Sequence, residues 1–381
     1  MERSKKRINL LLICAIVCLS SFSALAKNSL TLYGLIDSGV EYLSGVSGGS
    51  RLRMPAITGS FPSRWGLRGA EDLGGGYQAV FTAESGFNAN NGTSGQGSRL
   101  FGRQVWVGIK SPYGTLSLGR QYSMTYISLL DGDVMGPSIY SLGSLSPNIP
   151  NDRVDNTISY FGKFDTWTVG ATYSLGGRDS AGTGNTPGQG TCAGAETGDF
   201  HRCQEWSALL RYDTEWFGGG ASYEQQRGGP GAAANFFDGV APTPFTSSSD
   251  KDRLIQLNGW INVYGFKITT GWLGRRMTSD SAGGVEVRSN IYYLTARYQF
   301  TPAFAVDGGA YRIINSDHDT RATLSTLRAT YEFSTRSAVY AQLGHIANSS
   351  AANYSLSSGG PAPPGKGASQ TGVVIGMRHV F

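Results

Sequence analysis

From Lys27 onward, apolar and polar residues alternate with a period of two, and no apolar stripe of helical spacing persists for three turns. In Thr166 to Leu175, one face carries Trp167, Val169, Ala171, Tyr173 and Leu175, and the other carries Thr166, Thr168, Gly170, Thr172 and Ser174. The stretches 292–300 and 326–333 repeat the pattern, with Tyr292, Leu294, Ala296, Tyr298 and Phe300 on one apolar face and Leu327, Ala329, Tyr331 and Phe333 on the other. Segments with one dry and one wet face fold as β-strands, because successive strand side chains point to opposite sides. The chain is all-β.

The connections alternate too. Long Gly/Ser/Asn/Pro-rich segments lie near 44–60, 88–98, 123–152, 176–204, 227–251, 277–286, 313–320 and 346–370. Tight turns fall between them at 72–75, 111–114, 164–165, 213–215, 264–265, 301–302 and 334–335. Eight long loops and seven short turns separate about sixteen strands. A transmembrane antiparallel up-and-down barrel sorts its loops this way, whereas soluble sandwiches and propellers have no reason to. Lipid offers the backbone no hydrogen bonds, so every strand edge must be paired in a closed sheet. Aromatics near strand ends, among them Tyr42, Phe87, Trp216, Phe217, Phe266, Trp272, Phe300, Phe304 and Phe333, suit the headgroup level.

The other features fit an exported protein. Arg3, Lys5, Lys6 and Arg7 precede the apolar run Ile8 to Ala26, which ends in Ala24-Leu25-Ala26, so residues 1–26 are expected to be a cleaved signal peptide and 27–381 a single barrel domain. No other run resembles a membrane helix. Without the leader the net charge is about +2, too near neutral to suggest nucleic acid. Cys192 and Cys203 then remain, and an oxidising compartment permits a disulfide within one outer loop, exposed at the cell surface. A zinc site with His201 is the alternative, but it lacks a fourth ligand. The terminal strand Thr371 to Phe381 puts Val373, Ile375, Met377, His379 and Phe381 on one face, as in the signal read by outer-membrane barrel assembly machinery.

Several segments together carry a family likeness. They are Thr31-Leu32-Tyr33-Gly34 with Asp37-Ser38-Gly39-Val40, Ser63-Arg64-Trp65-Gly66-Leu67-Arg68-Gly69 through Glu71-Asp72-Leu73-Gly74, Phe101-Gly102-Arg103-Gln104, Gly119-Arg120-Gln121-Tyr122 and Gly376-Met377-Arg378-His379. On these the chain resembles the trimeric general porins of Gram-negative outer membranes, in particular their β-proteobacterial branch. The resemblance implies a sixteen-stranded barrel, a homotrimer, and a third long loop folded into the lumen, here 123–152. A barrel of that size is wide enough to hold water, so an infolded loop is needed to make a size filter.

The resemblance maps basic constriction residues onto Arg64, Arg103 and Arg153. Parity supports Arg64, which shares a face with Gly66 and Arg68. It argues against Arg103, which shares parity with Val105, Val107 and Ile109. Asp131 and Asp133 are the only acids of the third loop before Asp152, and the Pro-Glu-Phe-Gly-Gly pattern of enteric porins is absent. Arg120 shares parity with Leu116 and Leu118 and would face outward, at headgroup level or, as the resemblance suggests, in a subunit interface. Arg297 and Arg328 are further lumen candidates.

The expected function is a water-filled outer-membrane channel for passive diffusion of small anionic or neutral solutes, moderately anion-selective. Its expected partners are outer-membrane lipid, lipopolysaccharide and, through Phe381, the assembly machinery, with no cofactor, metal or nucleic acid. A surface receptor or adhesin is the alternative. An enzyme is the poorer one, since His201, His318, His345 and His379 are scattered and form no Ser/His/Asp grouping.

Overall fold

The computed structural model describes residues 28–147, 152–176, 192, 198–358 and 363–381. The leader expected at 1–26 lies outside the described residues. Sixteen strands form the wall: β1 (Ser29–Val46), β2 (Arg64–Gly74), β3 (Tyr77–Gly86), β4 (Gln104–Ser111), β5 (Gly114–Tyr122), β6 (Arg153–Phe164), β7 (Trp167–Ser174) and β8 (Glu205–Asp213), then β9 (Phe217–Arg227), β10 (Lys251–Val263), β11 (Phe266–Ser279), β12 (Val285–Thr301), β13 (Phe304–Asn315), β14 (Thr320–Glu332), β15 (Ser337–Asn348) and β16 (Gln370–Val380). Each pairs antiparallel with the next, and β1 closes on β16 with Leu35 opposite Val380 and Leu43 opposite Gly372. Closure leaves no edge for lipid to meet unpaired.

The alternation reads directly onto the wall. In β1, Leu30, Leu32, Ile36, Val40 and Tyr42 are exposed on the outside while Asp37, Glu41 and Leu43 are buried inside. Val105, Val107 and Ile109 of β4 lie beside Leu116 and Leu118 of β5 on the same outer surface. Each such side chain removed from water into hydrocarbon stabilises by roughly 1.5–3 kcal/mol. At the short-turn end, rings make a ladder, with Phe266 to Tyr298 at 4.5 Å, Tyr298 to Phe300 at 4.7 Å and Phe300 to Phe304 at 5.7 Å. Phe87 departs from the expected girdle and lines the vestibule under the long loops instead.

The third loop enters the lumen as expected and builds a core there. Helix α1 (Met124–Gly132) is capped by the Ser123 hydroxyl, which accepts from Tyr126 N at 3.2 Å. At the far wall, Tyr293 OH donates to Gly132 O at 3.0 Å and Tyr311 OH to Asp133 Oδ2 at 2.7 Å. Past the helix, Met135, Ile139, Tyr140, Leu142 and Leu145 pack against Tyr311, Tyr340, Tyr354 and Leu356. This apolar core occupies space that the strands alone would leave to water.

Two expectations about the long loops need correction. The first loop is not simply an outer loop, because β1 runs on to Val46 and Gly49–Arg53 returns beside it, after which residues 54–63 dip into the lumen. There Gly59 N donates to Tyr340 OH at 3.0 Å, Asp37 accepts from Ser60, and Ile139 N donates to Thr58 O at 2.8 Å. The loops expected at 277–286 and 313–320 shrink to 280–284 and 316–319, since β11 to β14 extend beyond the lipid-spanning pattern.

Cys192 and Cys203 form a disulfide with Cα atoms 5.6 Å apart. The bond is fully buried rather than exposed, because loop 228–250 folds over it and packs Phe236 and Phe245 together with Met277 and Val287 against the sulfurs. His201 is not a third ligand there, and its Nδ1 lies 3.1 Å from Gln204 Oε1.

Candidate pore constriction

Register places the first cation. Arg64 opens β2 opposite Gly86 and two residues from Gly66, which faces Glu84 of β3, so Arg64, Glu84 and Thr82 share the lumen face with Arg68. Arg103 precedes β4 by one residue, and strand parity therefore does not bind it. Its guanidinium turns inward, with Nε 2.7 Å from Glu84 Oε1 and Nη2 donating to Tyr122 OH at 2.6 Å. Arg153 opens β6 directly opposite Tyr122 at the end of β5. It donates to the same hydroxyl at 3.1 Å and lies over the ring at 4.7 Å.

The structure thus gathers Arg64, Arg103 and Arg153 around one carboxylate and one tyrosine. Glu84 Oε2 lies 3.5 Å from Arg64 Nε and accepts from Tyr33 OH at 3.1 Å. Tyr126 of α1 stacks on Tyr122 at 4.0 Å, which ties the third loop to the cluster. Burial opposes the Arg103 charge, but Tyr122 and Glu84 outweigh it and hold the guanidinium above its ordinary value. Glu84 pairs with Arg103 and lies near Arg64, while Arg153 joins the cluster through Tyr122, so three guanidinium groups converge on one side of the lumen.

Glu84 was not singled out from the sequence. Its signal was available in the parity of Thr82 and Glu84 against Phe81 and Ala83. Arg68 sits four residues nearer the short turns than Arg64, exposed, with its guanidinium 3.9 Å from the Tyr33 ring centroid.

The other expected residues sit elsewhere. Asp133 does not face the opening; it is buried at the end of α1, accepting from Tyr311, from Met135 N at 2.9 Å and from Thr295 at 3.2 Å. Its position makes it an anchor of the loop. The Asp131 side chain lies outside the described residues. Arg328 is also an anchor, paired with Asp307 at 2.6 Å and donating to the carbonyls of Gly59, Val134 and Met135.

Arg120 keeps its outward parity opposite Val105 but is only 7% exposed. A bulge after Gly119, whose φ of +135° suits glycine, shifts the register, and Arg120 Nη1 then meets Asp155 at 2.7 Å while Nε donates to Gly102 O at 2.8 Å. Arg99 reaches the same Asp155 at 2.9 Å.

Among the described residues, one carboxylate group has metal-like spacing. Oxygens of Asp152, Glu205 and Glu224 lie within 4.8 Å of one another, all buried. Each of these residues makes further interactions. Ser123 donates to Asp152, so part of this group secures the start of α1.

Comparison with known proteins gives the same picture from outside. A family profile described as Gram-negative porin matches residues 13–351. An outer membrane porin protein of Bordetella pertussis is 28% identical, over 97% of this chain and 99% of its own. Outer membrane porin protein 32 of Delftia acidovorans is 26% identical with the same coverage of both, 97% and 99%. Among solved structures, an anion-selective porin from Comamonas acidovorans superimposes with a TM-score of 0.76 at 23% identity, covering 93% of this chain and all of that one. OmpT of Vibrio cholerae, in a trimer form, gives 0.65 at 14%, covering 93% of this chain and 99% of its own.

Proposed function

The chain belongs to the Gram-negative porin family, outer-membrane channels rather than enzymes, and from that premise we propose that its pore passes small hydrophilic solutes by passive diffusion and favours anions. The observation that carries the selectivity is the gathering of Arg64, Arg103 and Arg153 around Glu84 and Tyr122. Arginine stays charged at any accessible pH. At about 10 Å in a water-like dielectric each net charge contributes roughly 0.4 kcal/mol, about a twofold preference per charge, so a net positive cluster favours anions moderately rather than excluding cations. Salt screens over about 8–10 Å, so the preference weakens as salt rises. The fold likeness to a porin described as anion-selective supports the same reading.

The assembly is a homotrimer in this reading, supported by a trimeric neighbour of the same fold. Arg120, of outward parity, is ion-paired to Asp155, which Arg99 also reaches, and a charge there suits a subunit interface better than a surface facing lipid. The remaining outer wall meets lipid and lipopolysaccharide, residues 1–26 direct export and are removed, and Phe381 is the handle for barrel assembly. Replacing Arg64, Arg103 and Arg153 together by glutamine is expected to abolish the anion preference in reversal potentials across a salt gradient. If the triple variant keeps the wild-type potential, the selectivity does not reside in this cluster.

A further inference from the structure

On the short-turn side of the third loop, the segment Val134 to Gly136 roofs a second cavity of about 270 Å³. Register sets its wall. Lys267 of β11 stands directly opposite Arg297 of β12, Arg297 opposite Asp307 of β13, and Asp307 opposite Arg328 of β14. Four consecutive strands therefore carry cation, cation, carboxylate and cation abreast.

The single carboxylate of that row is already committed. Asp307 holds Arg328 at 2.6 Å and reaches Arg297 only at 3.4 Å. Lys267 has no ion-pair partner among the described residues, and its Nζ lies 5.3 Å from the Trp260 ring centroid. From the other side of the cavity comes Arg378, 3.8 Å from Glu332, with its Nε buried and without a hydrogen-bond partner. Asp133, the remaining acid of the lining, is held by Tyr311, Thr295 and Met135.

Like charges directly opposite each other across strands repel. Lys267 and Arg297 are such a pair, and of the two carboxylates lining the space they face, Asp133 is held by its hydrogen-bond donors and Glu332 lies beside Arg378. We infer that this cavity is a second anion subsite for a small oxyanion of the phosphate or carboxylate type, bound by Lys267, Arg297 and Arg378. The inference deepens the anion-selective reading and rests on it, but on different residues: the constriction cluster comes from β2, β6 and the start of β4, and the subsite from β11, β12 and β16.

The test uses the full porin in planar bilayers, carrying chloride current, with inorganic phosphate added to one side at a time. Phosphate on the short-turn side is expected to reduce the current saturably. Lys267→Gln should raise the half-blocking concentration about fivefold, the effect of one charge at contact distance, and Lys267→Gln/Arg297→Gln should abolish the block. Lys267→Gln removes no ion pair of the described residues, so it keeps the test open if the double variant does not fold. The glutamine triple variant of Arg64, Arg103 and Arg153 should lose chloride preference yet keep the phosphate block. Absence of saturable block, or a block that Lys267→Gln leaves unchanged, overturns the subsite. Unchanged chloride preference in the triple variant counts against the constriction reading alone.

Discussion

Arg103 and Glu84 meet at 2.7 Å inside the lumen, their side chains 3% and 6% exposed. The contact joins the end of the second long loop to the wall strand β3, and it removes one positive charge from the field a passing ion would feel. Breaking such a buried pair from one side usually costs several kcal/mol, because the other charge is stranded. Arg103 is not wholly dependent on it, since Tyr122 accepts from its other nitrogen.

Glu84→Gln is therefore expected to sharpen the pore while loosening it. With the amide oxygen still able to accept from Arg103, the barrel should assemble, and the anion preference should rise about twofold for one negative charge removed at about 10 Å. Reversal potentials give the first effect and thermal midpoints the second. A fall in anion preference would show that Glu84 acts mainly by positioning the arginines.

The anchor of the third loop should respond to acid. Burial pushes the Asp133 carboxyl up to about 6, against the pull of hydrogen bonds from Tyr311, Met135 and Thr295. A carboxyl raised in the folded state binds its proton more tightly there, so its contribution to stability is complete below the ordinary aspartate value and fades as pH rises through about 6. Wild type should gain stability relative to Asp133→Asn between neutral pH and about pH 5, by on the order of 2 kcal/mol at most. The temperature at which the folded form converts to the unfolded form on gels, read at both pH values, checks this; parallel curves would contradict it.

Removing the disulfide should matter locally. Cys192→Ser/Cys203→Ser loses a bond worth about 2–3 kcal/mol and places hydroxyls among Phe236, Phe245, Met277 and Val287. Limited proteolysis is expected to cut loop 228–250 faster in the double variant, while conductance stays at the wild-type level. Equal cutting rates would mean that the packed rings hold the loop without the bond.

Arg120→Ala removes the link between Asp155 and the Gly102 carbonyl. In the proposed trimer this should lower the dissociation temperature on semi-native gels and leave single-channel conductance unchanged. Dissociation at the wild-type temperature would make Arg120 an anchor of its own loop only.

How legible all this was in the sequence depends on distance along the chain. The strands are legible because the alternation in segments such as 166–175 is local, and so was the lumen face of Arg64 and Arg68. Parity misdirected at Arg103 because that residue lies just outside its strand, and it could not foresee the burial of Arg120 because the bulge after Gly119 resets the register. The inward dip of 54–63 left no periodic trace at all. Its partners, Tyr340 for Gly59 and Arg328 for the same residue, lie 281 and 269 positions away.

Those separations also bear on the order of events during assembly. Arg328 of β14 holds both inserted segments, through Gly59 on one and Val134 and Met135 on the other, and Tyr340 of β15 holds Asp37 of β1. None of these contacts can exist until the last strands have been laid beside the first, and closing so long a span is the slow part of building such a topology. The filter is therefore seated with ring closure or after it. A barrel caught short of that point would be an unobstructed tube, and the discriminating pore is a property of the finished ring alone.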